Sequence, residues 1–141
     1  MQRRTFLKNT CTVCILGTAG YMLPQLAGCK TASYSVYKTP QVGKTVVVPL
    51  SLFDGSATQF IRPAGWYHDI AVEKKDGNTY QALLMECTHM ENSLTPTGSG
   101  FHCSLHGSDF DKNGNVRKGP AAMPLTRYQT TINQNNLIIH V

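Results

Sequence analysis

Cys87-Thr88-His89 and Cys103-Ser104-Leu105-His106-Gly107-Ser108 face each other across the thirteen residues Met90–His102. Each half carries a cysteine followed at short range by a histidine. Thiolate and imidazole are both metal ligands, so the repeated Cys/His pair reads as a donor set. Two plainer readings compete with it. A single disulfide between Cys87 and Cys103 leaves the two matched histidines unexplained. A structural zinc ion takes two Cys and two His, but zinc spacings pair like with like, as in Cys-x-x-Cys and His-x-x-x-His. Two mixed pairs followed by Gly107-Ser108 and Gly119-Pro120 fit that pattern poorly.

Outward from this stretch the chain reads as short strands and tight turns. Thr79–Glu86 is a strand that delivers Cys87 at its end. Trp66–Glu73 is its partner, and Asp76-Gly77 closes the hairpin because glycine tolerates positive φ. Upstream, Lys44–Leu50 is short and β-branched, and Gln59–Arg62 is a further strand ended by Pro63-Ala64-Gly65. Lys30–Pro40 is polar with no apolar period, a tether or first edge segment. Glu91–Gly100 reads as a flexible loop. Downstream, Ser108–Asp111 and Val116 frame the Asn113-Gly114 turn, and Gly119–Pro124 is a rigid loop. Leu125–Asn133 and Leu137–Val141 form a closing hairpin around Gln134–Asn136. About eight to ten short strands of this kind predict an all-β fold, stacked antiparallel sheets or a barrel.

The 141 residues suit a single domain, and neither an internal repeat nor a second domain is visible. Of five cysteines, Cys11, Cys14 and Cys29 fall in or at the end of the leading apolar segment, which leaves Cys87 and Cys103 for the folded part. The net charge of +5 includes Arg3, Arg4 and Lys8; without those three it is about +2, with no basic stripe that would suit nucleic acid.

With its surroundings, the Cys/His stretch resembles the Rieske [2Fe–2S] family. That pattern is Cys-x-His, a gap, Cys-x-x-His-Gly-Ser, an aromatic two residues on, and Gly-Pro-Ala. It is met here by Cys87, His89, Cys103, His106, Gly107, Ser108, Phe110, Gly119, Pro120 and Ala121. The resemblance places a Rieske domain at 41–141 and implies stacked sheets or a barrel with a cluster-binding subdomain of two loops. It implies a Rieske-type [2Fe–2S] cofactor, with Cys87 and Cys103 on the inner iron and His89 and His106 on the outer. Neutral imidazoles in place of two thiolates raise the potential of such a cluster, which should fall with rising pH once those imidazoles deprotonate.

The resemblance also assigns the surroundings of the cluster. Ser108 matches a serine that donates to a bridging sulfide. Phe110 stands where high-potential members place a tyrosine that donates to a cysteine sulfur. One donor kept and one lost imply a potential inside the range of about −150 to +300 mV and below its top. Leu105, Met90 and Pro120 would be apolar cover. Members of the cytochrome bc type brace their loops with a disulfide; Asn92 and Leu105 occupy those positions, so that bond is absent. His68 and His102 read as surface or packed histidines, His140 has no evident role, Trp66 reads as packing, and Asp109 and Asp111 as turn residues.

Residues 1–28 read as an address. Gln2-Arg3-Arg4-Thr5-Phe6-Leu7-Lys8 resembles a bacterial twin-arginine signal, with Gln2 in place of the usual hydroxyl residue. Leu26-Ala27-Gly28-Cys29 resembles a lipoprotein cleavage box, which makes Cys29 a lipidation site and 29–40 a lipidated tether. Gly17, Gly20 and Pro24 interrupt the apolar run, and a spanning helix needs about 20 apolar residues, which disfavours an uncleaved anchor. The resulting expectation is an exported protein, lipid-anchored at the periplasmic face of a bacterial membrane.

The functional expectation is one-electron transfer, in service of an exported redox enzyme or respiratory complex. A redox partner protein would dock near His89 and His106. The competing readings are the Rieske subunit of a quinol-oxidising cytochrome bc-type complex and a non-redox metal-binding module. A Rieske oxygenase needs a separate iron domain with two His and a carboxylate. The short stretch after Gly119 has no room for one, so the chain is not expected to be catalytic alone.

Overall fold

The computed structural model describes residues 33–141. The signal expected over 1–28, Cys29 and the start of the tether lie outside the described residues. Twelve strands follow in order: β1 (Val36–Thr39), β2 (Gln41–Val42), β3 (Thr45–Pro49), β4 (Thr58–Pro63), β5 (Ile70–Lys74) and β6 (Tyr80–Leu84), then β7 (Thr95–Thr97), β8 (Gly100–His102), β9 (Asp109–Asp111), β10 (Val116–Lys118), β11 (Arg127–Asn133) and β12 (Asn136–His140). Eight form one sheet in the order β1-β4-β5-β6-β11-β12-β3-β2, and four form a second in the order β10-β9-β8-β7. The larger sheet is nearly closed. The all-β expectation holds, and among the described residues no helix is long and apolar enough to cross a membrane.

The larger sheet follows the side-chain alternation of β-structure. In β3 Val46 and Val48 point inward and Val47 outward; in β12 Leu137 and Ile139 point inward. These residues join Phe53, Ile61, Ile70, Val72 and Ala82 in one buried cluster. Strands β5 and β6 differ, because both of their faces are covered. Ile70, Val72 and Ala82 face the first cluster, whereas Ala71 and Leu83 face a second one. That second cluster contains Met85, Cys87, Leu94, Phe101, Cys103, Phe110, Ala121 and Leu125. The smaller sheet and its loops thus pack over the back of β5 and β6, and both cysteines lie in that seam.

Two edge strands stand in polar stretches, one expected as a loop and one as a tether or first edge segment. Strand β7 lies inside the stretch expected as a flexible loop, paired as Thr95↔His102, Pro96↔Phe101 and Thr97↔Gly100. It is the edge of its sheet, where a proline without an N–H is tolerated. Strand β1 comes from the polar segment before Pro40, and it pairs in parallel with β4 from Val36↔Phe60 to Thr39↔Pro63. The Asp76-Gly77 hairpin forms as expected, with Gly77 at φ 68° and Lys75 N donating to Thr79 O at 2.8 Å.

The entry of the chain into the fold is held by Asp69, which is 2% exposed. Its carboxylate accepts from Tyr34 Oη at 2.9 Å and from Arg62 Nε at 2.6 Å. The Tyr34 ring also packs on Phe60, with centroids 4.3 Å apart. Burial, then the hydrogen bond and the charge of Asp69, push the Tyr34 hydroxyl up from 10.0 to about 12, against the opposing effect of Arg62. A tyrosine with a raised folded-state pKa binds more protons folded than unfolded between those values, so stability falls as pH rises through that window. Chemical denaturation from pH 9 to about 12 should show this loss in the native protein and a shallower one in Tyr34→Phe.

Candidate metal centre

Strand β6 runs out of the larger sheet into the first loop. Its neck is a nested ladder: Leu94 N donates to Met85 O at 3.1 Å, Glu86 bridges to Ser93, and Cys87 N donates to Asn92 O at 2.8 Å. The second loop leaves β8 and returns on β9, above the pairs Phe101↔Phe110 and His102↔Asp109. There Cys103 N donates to Ser108 O at 2.9 Å, and Gly107 N donates to Cys103 O at 2.9 Å. The two loops share one plan. Each spans six residues, Cys87–Asn92 and Cys103–Ser108, with the first N–H bonded to the sixth C=O. In each the fifth residue has positive φ, Glu91 at 38° and Gly107 at 77°.

This plan separates the thiols from the imidazoles. The thiols open each loop at the level of the core, and Cys87 and Cys103 are 1% and 0% exposed. Both are free thiols. His89 and His106 sit at the loop tips and are exposed. Their rings meet edge to face, with centroids 4.9 Å apart and an interplanar angle of 89°. Among the described residues no group of three or more His, Cys, Asp or Glu side chains closes on one point.

The electrostatics of the seam favour a thiolate. Burial pushes the Cys103 thiol up, but the N–H groups of His106 and Leu105, with Cys87 and Asn92, outweigh it and hold it below its ordinary value. A thiolate is the form that binds metal. Ser108 is fully buried, and its Oγ accepts the Ala121 N–H at 3.0 Å. With one lone pair used, the hydroxyl keeps its proton to donate and a second lone pair to accept. Two buried thiols in contact, two facing imidazoles and a buried hydroxyl beside them in the chain fit a [2Fe–2S] group.

The loop from Gly119 to Pro124 ties the two ligand loops together. It reaches loop two through Ala121 N and Ser108 Oγ, and loop one through Thr88 Oγ1, which donates to Met123 O at 2.7 Å. Phe110 is a core residue, 2% exposed, opposite Phe101. Leu105 and Met90, expected as cover, are 57% and 59% exposed beside the histidines, and Pro120 is exposed on its loop.

The remaining histidines are all hydrogen-bonded. His68 Nδ1 lies 2.9 Å from Ser93 Oγ and its Nε2 3.4 Å from Glu86, at the neck of loop one. His102 Nδ1 lies 2.6 Å from Asp109 at the neck of loop two. His140 Nε2 lies 2.9 Å from Thr131 Oγ1 on the closing hairpin. Trp66 packs edge-on against Tyr128, and Asp111 caps the Asn113-Gly114 turn by accepting from Asn113 N and Asn115 N. Sequence reasoning did not find the neck contacts, because His68 meets Glu86 and Ser93 only through the fold.

A family model for the Rieske [2Fe–2S] domain matches residues 40–129. The chain belongs to the Rieske [2Fe–2S] domain family. Its cofactor is accordingly a Rieske-type [2Fe–2S] cluster. The Rieske chain is 28% identical to the cytochrome b6-f complex iron-sulfur subunit of Synechococcus sp. (strain JA-3-3Ab), over 97% of this chain and 86% of that subunit. It is 34% identical to subunit 3 of that name from Nostoc sp. (strain PCC 7120), over 40% of this chain and 33% of the other. It is 31% identical to the mitochondrial cytochrome b-c1 complex subunit Rieske of Aotus azarae, over 51% of this chain and 27% of that one. The chain therefore spans about a third or less of the length of the last two relatives. Among solved structures, the cyanobacterial plasma membrane Rieske protein PetC3 from Synechocystis PCC 6803 shares the fold. Its TM-score is 0.54 at 22% identity, covering 66% of this chain and 95% of the other.

The shared loop plan makes a direct prediction. A Cβ at Gly107 would meet nothing within 4 Å, so Gly107→Ala isolates the cost of positive φ. It should lower the unfolding free energy by about 0.5–1 kcal/mol, the positive-φ cost less the entropy that alanine removes from the unfolded chain. Glu91→Gly should act in the opposite sense, by about 0.5–1 kcal/mol after the entropy of glycine is subtracted. Urea unfolding of both variants checks the pair.

Proposed function

We propose that this Rieske chain is a one-electron carrier held at the periplasmic face of a bacterial membrane by a lipidated Cys29. Cys87 and Cys103 hold the inner iron, and His89 and His106 the outer. The observation that carries the reading is the split in burial, with both thiols inside the core and both imidazoles at an exposed tip. The bound cluster supplies one-electron redox chemistry. Every other part belongs to the protein. The apolar seam around Cys87 and Cys103 excludes water, and the facing histidine edges offer a short path to a docked redox partner. Met90, Leu105 and Met123 flank them with exposures of 59%, 57% and 67%, an apolar rim suited to brief contact with a partner protein.

The address rests on the sequence. Arg3-Arg4 and Phe6-Leu7-Lys8 match an export signal for folded cargo, and Leu26–Cys29 matches a lipoprotein box. The acyl chains on Cys29 each add about 0.8 kcal/mol per buried CH₂. Only residues 30–33 separate Cys29 from Tyr34, which is already bonded to Asp69.

A second reading has its own support. The similar relatives include subunits named for cytochrome b6-f and b-c1 complexes. Service inside a quinol-oxidising complex would then be the role of this chain too. Against it stand Asn92 and Leu105 in place of a bracing disulfide, and Phe110 in place of a donor tyrosine.

One experiment tests carrier and anchor separately. The full chain expressed in its native envelope should partition with membranes and, once reduced, give an EPR spectrum of low average g. Cys29→Ser should move it to the soluble fraction with that spectrum unchanged. A native protein without the spectrum rejects the carrier; a Cys29→Ser protein that stays with membranes rejects the lipid anchor. Co-purification with a cytochrome b would favour the second reading.

A further inference from the structure

Asn92 occupies the sixth position of loop one, and its groups point in two directions. Its backbone C=O accepts the Cys87 N–H at 2.8 Å, which closes its own loop. Its side-chain Nδ2 lies 3.1 Å from Ser93 O and 3.7 Å from Cys103 Sγ. A carboxamide has two N–H donors, so it can serve both acceptors at once. The second contact runs from one ligand loop to the cysteine of the other. Its length suits an N–H donated to the larger sulfur atom, and the residue is half-buried, where such a contact is less screened.

We propose that Asn92 is a positioning and tuning residue, whose amide N–H on Cys103 Sγ joins the two ligand loops and raises the reduction potential of the centre. The inference rests on the reading of Cys103 as a ligand. Reduction adds negative charge that the ligand sulfurs share, and a donor to sulfur stabilises the reduced form more than the oxidised form. A neutral amide does this without adding charge of its own. The residue at the end of loop one thus sets both the shape of that loop and the electron affinity of the site.

The test is a redox titration of the purified full chain, followed by EPR, with iron and sulfide quantified in the same samples. Asn92→Leu keeps the approximate size and removes both donors. It should retain the cluster and shift the one-electron equilibrium roughly tenfold toward oxidation, a fall of about 59 mV in potential. Asn92→Asp keeps the shape, replaces the donor with a negative oxygen, and should fall further; it also decides the matter where the leucine variant does not fold. Asn92→Gln, which keeps an amide on a longer arm, should recover part of the native potential. An unchanged potential in whichever of the leucine and aspartate variants carries a full cluster overturns the proposal. A native protein without a cluster signal would instead sink the ligand reading beneath it.

Discussion

Cys87 and Cys103 pack as core residues between the back of β5–β6 and the smaller sheet, in one apolar cluster with Met85, Leu94, Phe101 and Phe110. The rest of the structure depends on that seam. The smaller sheet docks on the larger one through these residues, together with Ala71, Leu83, Ala121 and Leu125. The smaller sheet in turn frames the Cys103–Ser108 loop, which connects β8 to β9. The seam holds the two cysteines in one cluster, and the six-residue loops that start from them carry the histidines to the surface. Burying the thiols carries a desolvation penalty, which the N–H groups of Leu105 and His106 offset at Cys103.

The bracing of the loops is distributed. One covalent bond between them is replaced by several polar contacts of modest individual worth, each about 0.5–1.5 kcal/mol where neutral groups are involved. His68 with Glu86 and Ser93 closes one neck, and His102 with Asp109 closes the other. Thr88 and Ser108 tie both loops to the segment from Gly119 to Pro124. A distributed brace of this kind is insensitive to thiol–disulfide chemistry in the surrounding compartment, whereas a disulfide depends on that compartment's redox poise.

Much of this was readable from the chain. The two Cys/His pairs stood out because thiols and imidazoles at matched offsets have few other uses, and the fold brings the four residues onto two loops of one plan. The Asp76-Gly77 and Asn113-Gly114 turns announced their hairpins, because positive φ at Gly77 and Gly114 favours glycine. Strand β1 takes the edge place that was one of the two readings of Lys30–Pro40, whereas β7 was harder to see, since at a sheet edge pairing on one side suffices and Pro96 costs little. The Tyr34–Asp69–Arg62 cluster joins residues separated by up to 35 positions. The same holds for Asn92 and Cys103: sequence reasoning marked Asn92 only as a missing cysteine, and its donor role became visible once the two loops were set side by side.

The central claim is that one centre is held by two thiols from the core and two imidazoles from the tip. Nitrogen ENDOR on the reduced protein tests it most directly. Two strongly coupled nitrogens are expected, one from His89 and one from His106, with the loss of one coupling in a protein labelled or substituted at either. A spectrum with no strongly coupled nitrogen, or one unchanged by altering either histidine, would contradict it.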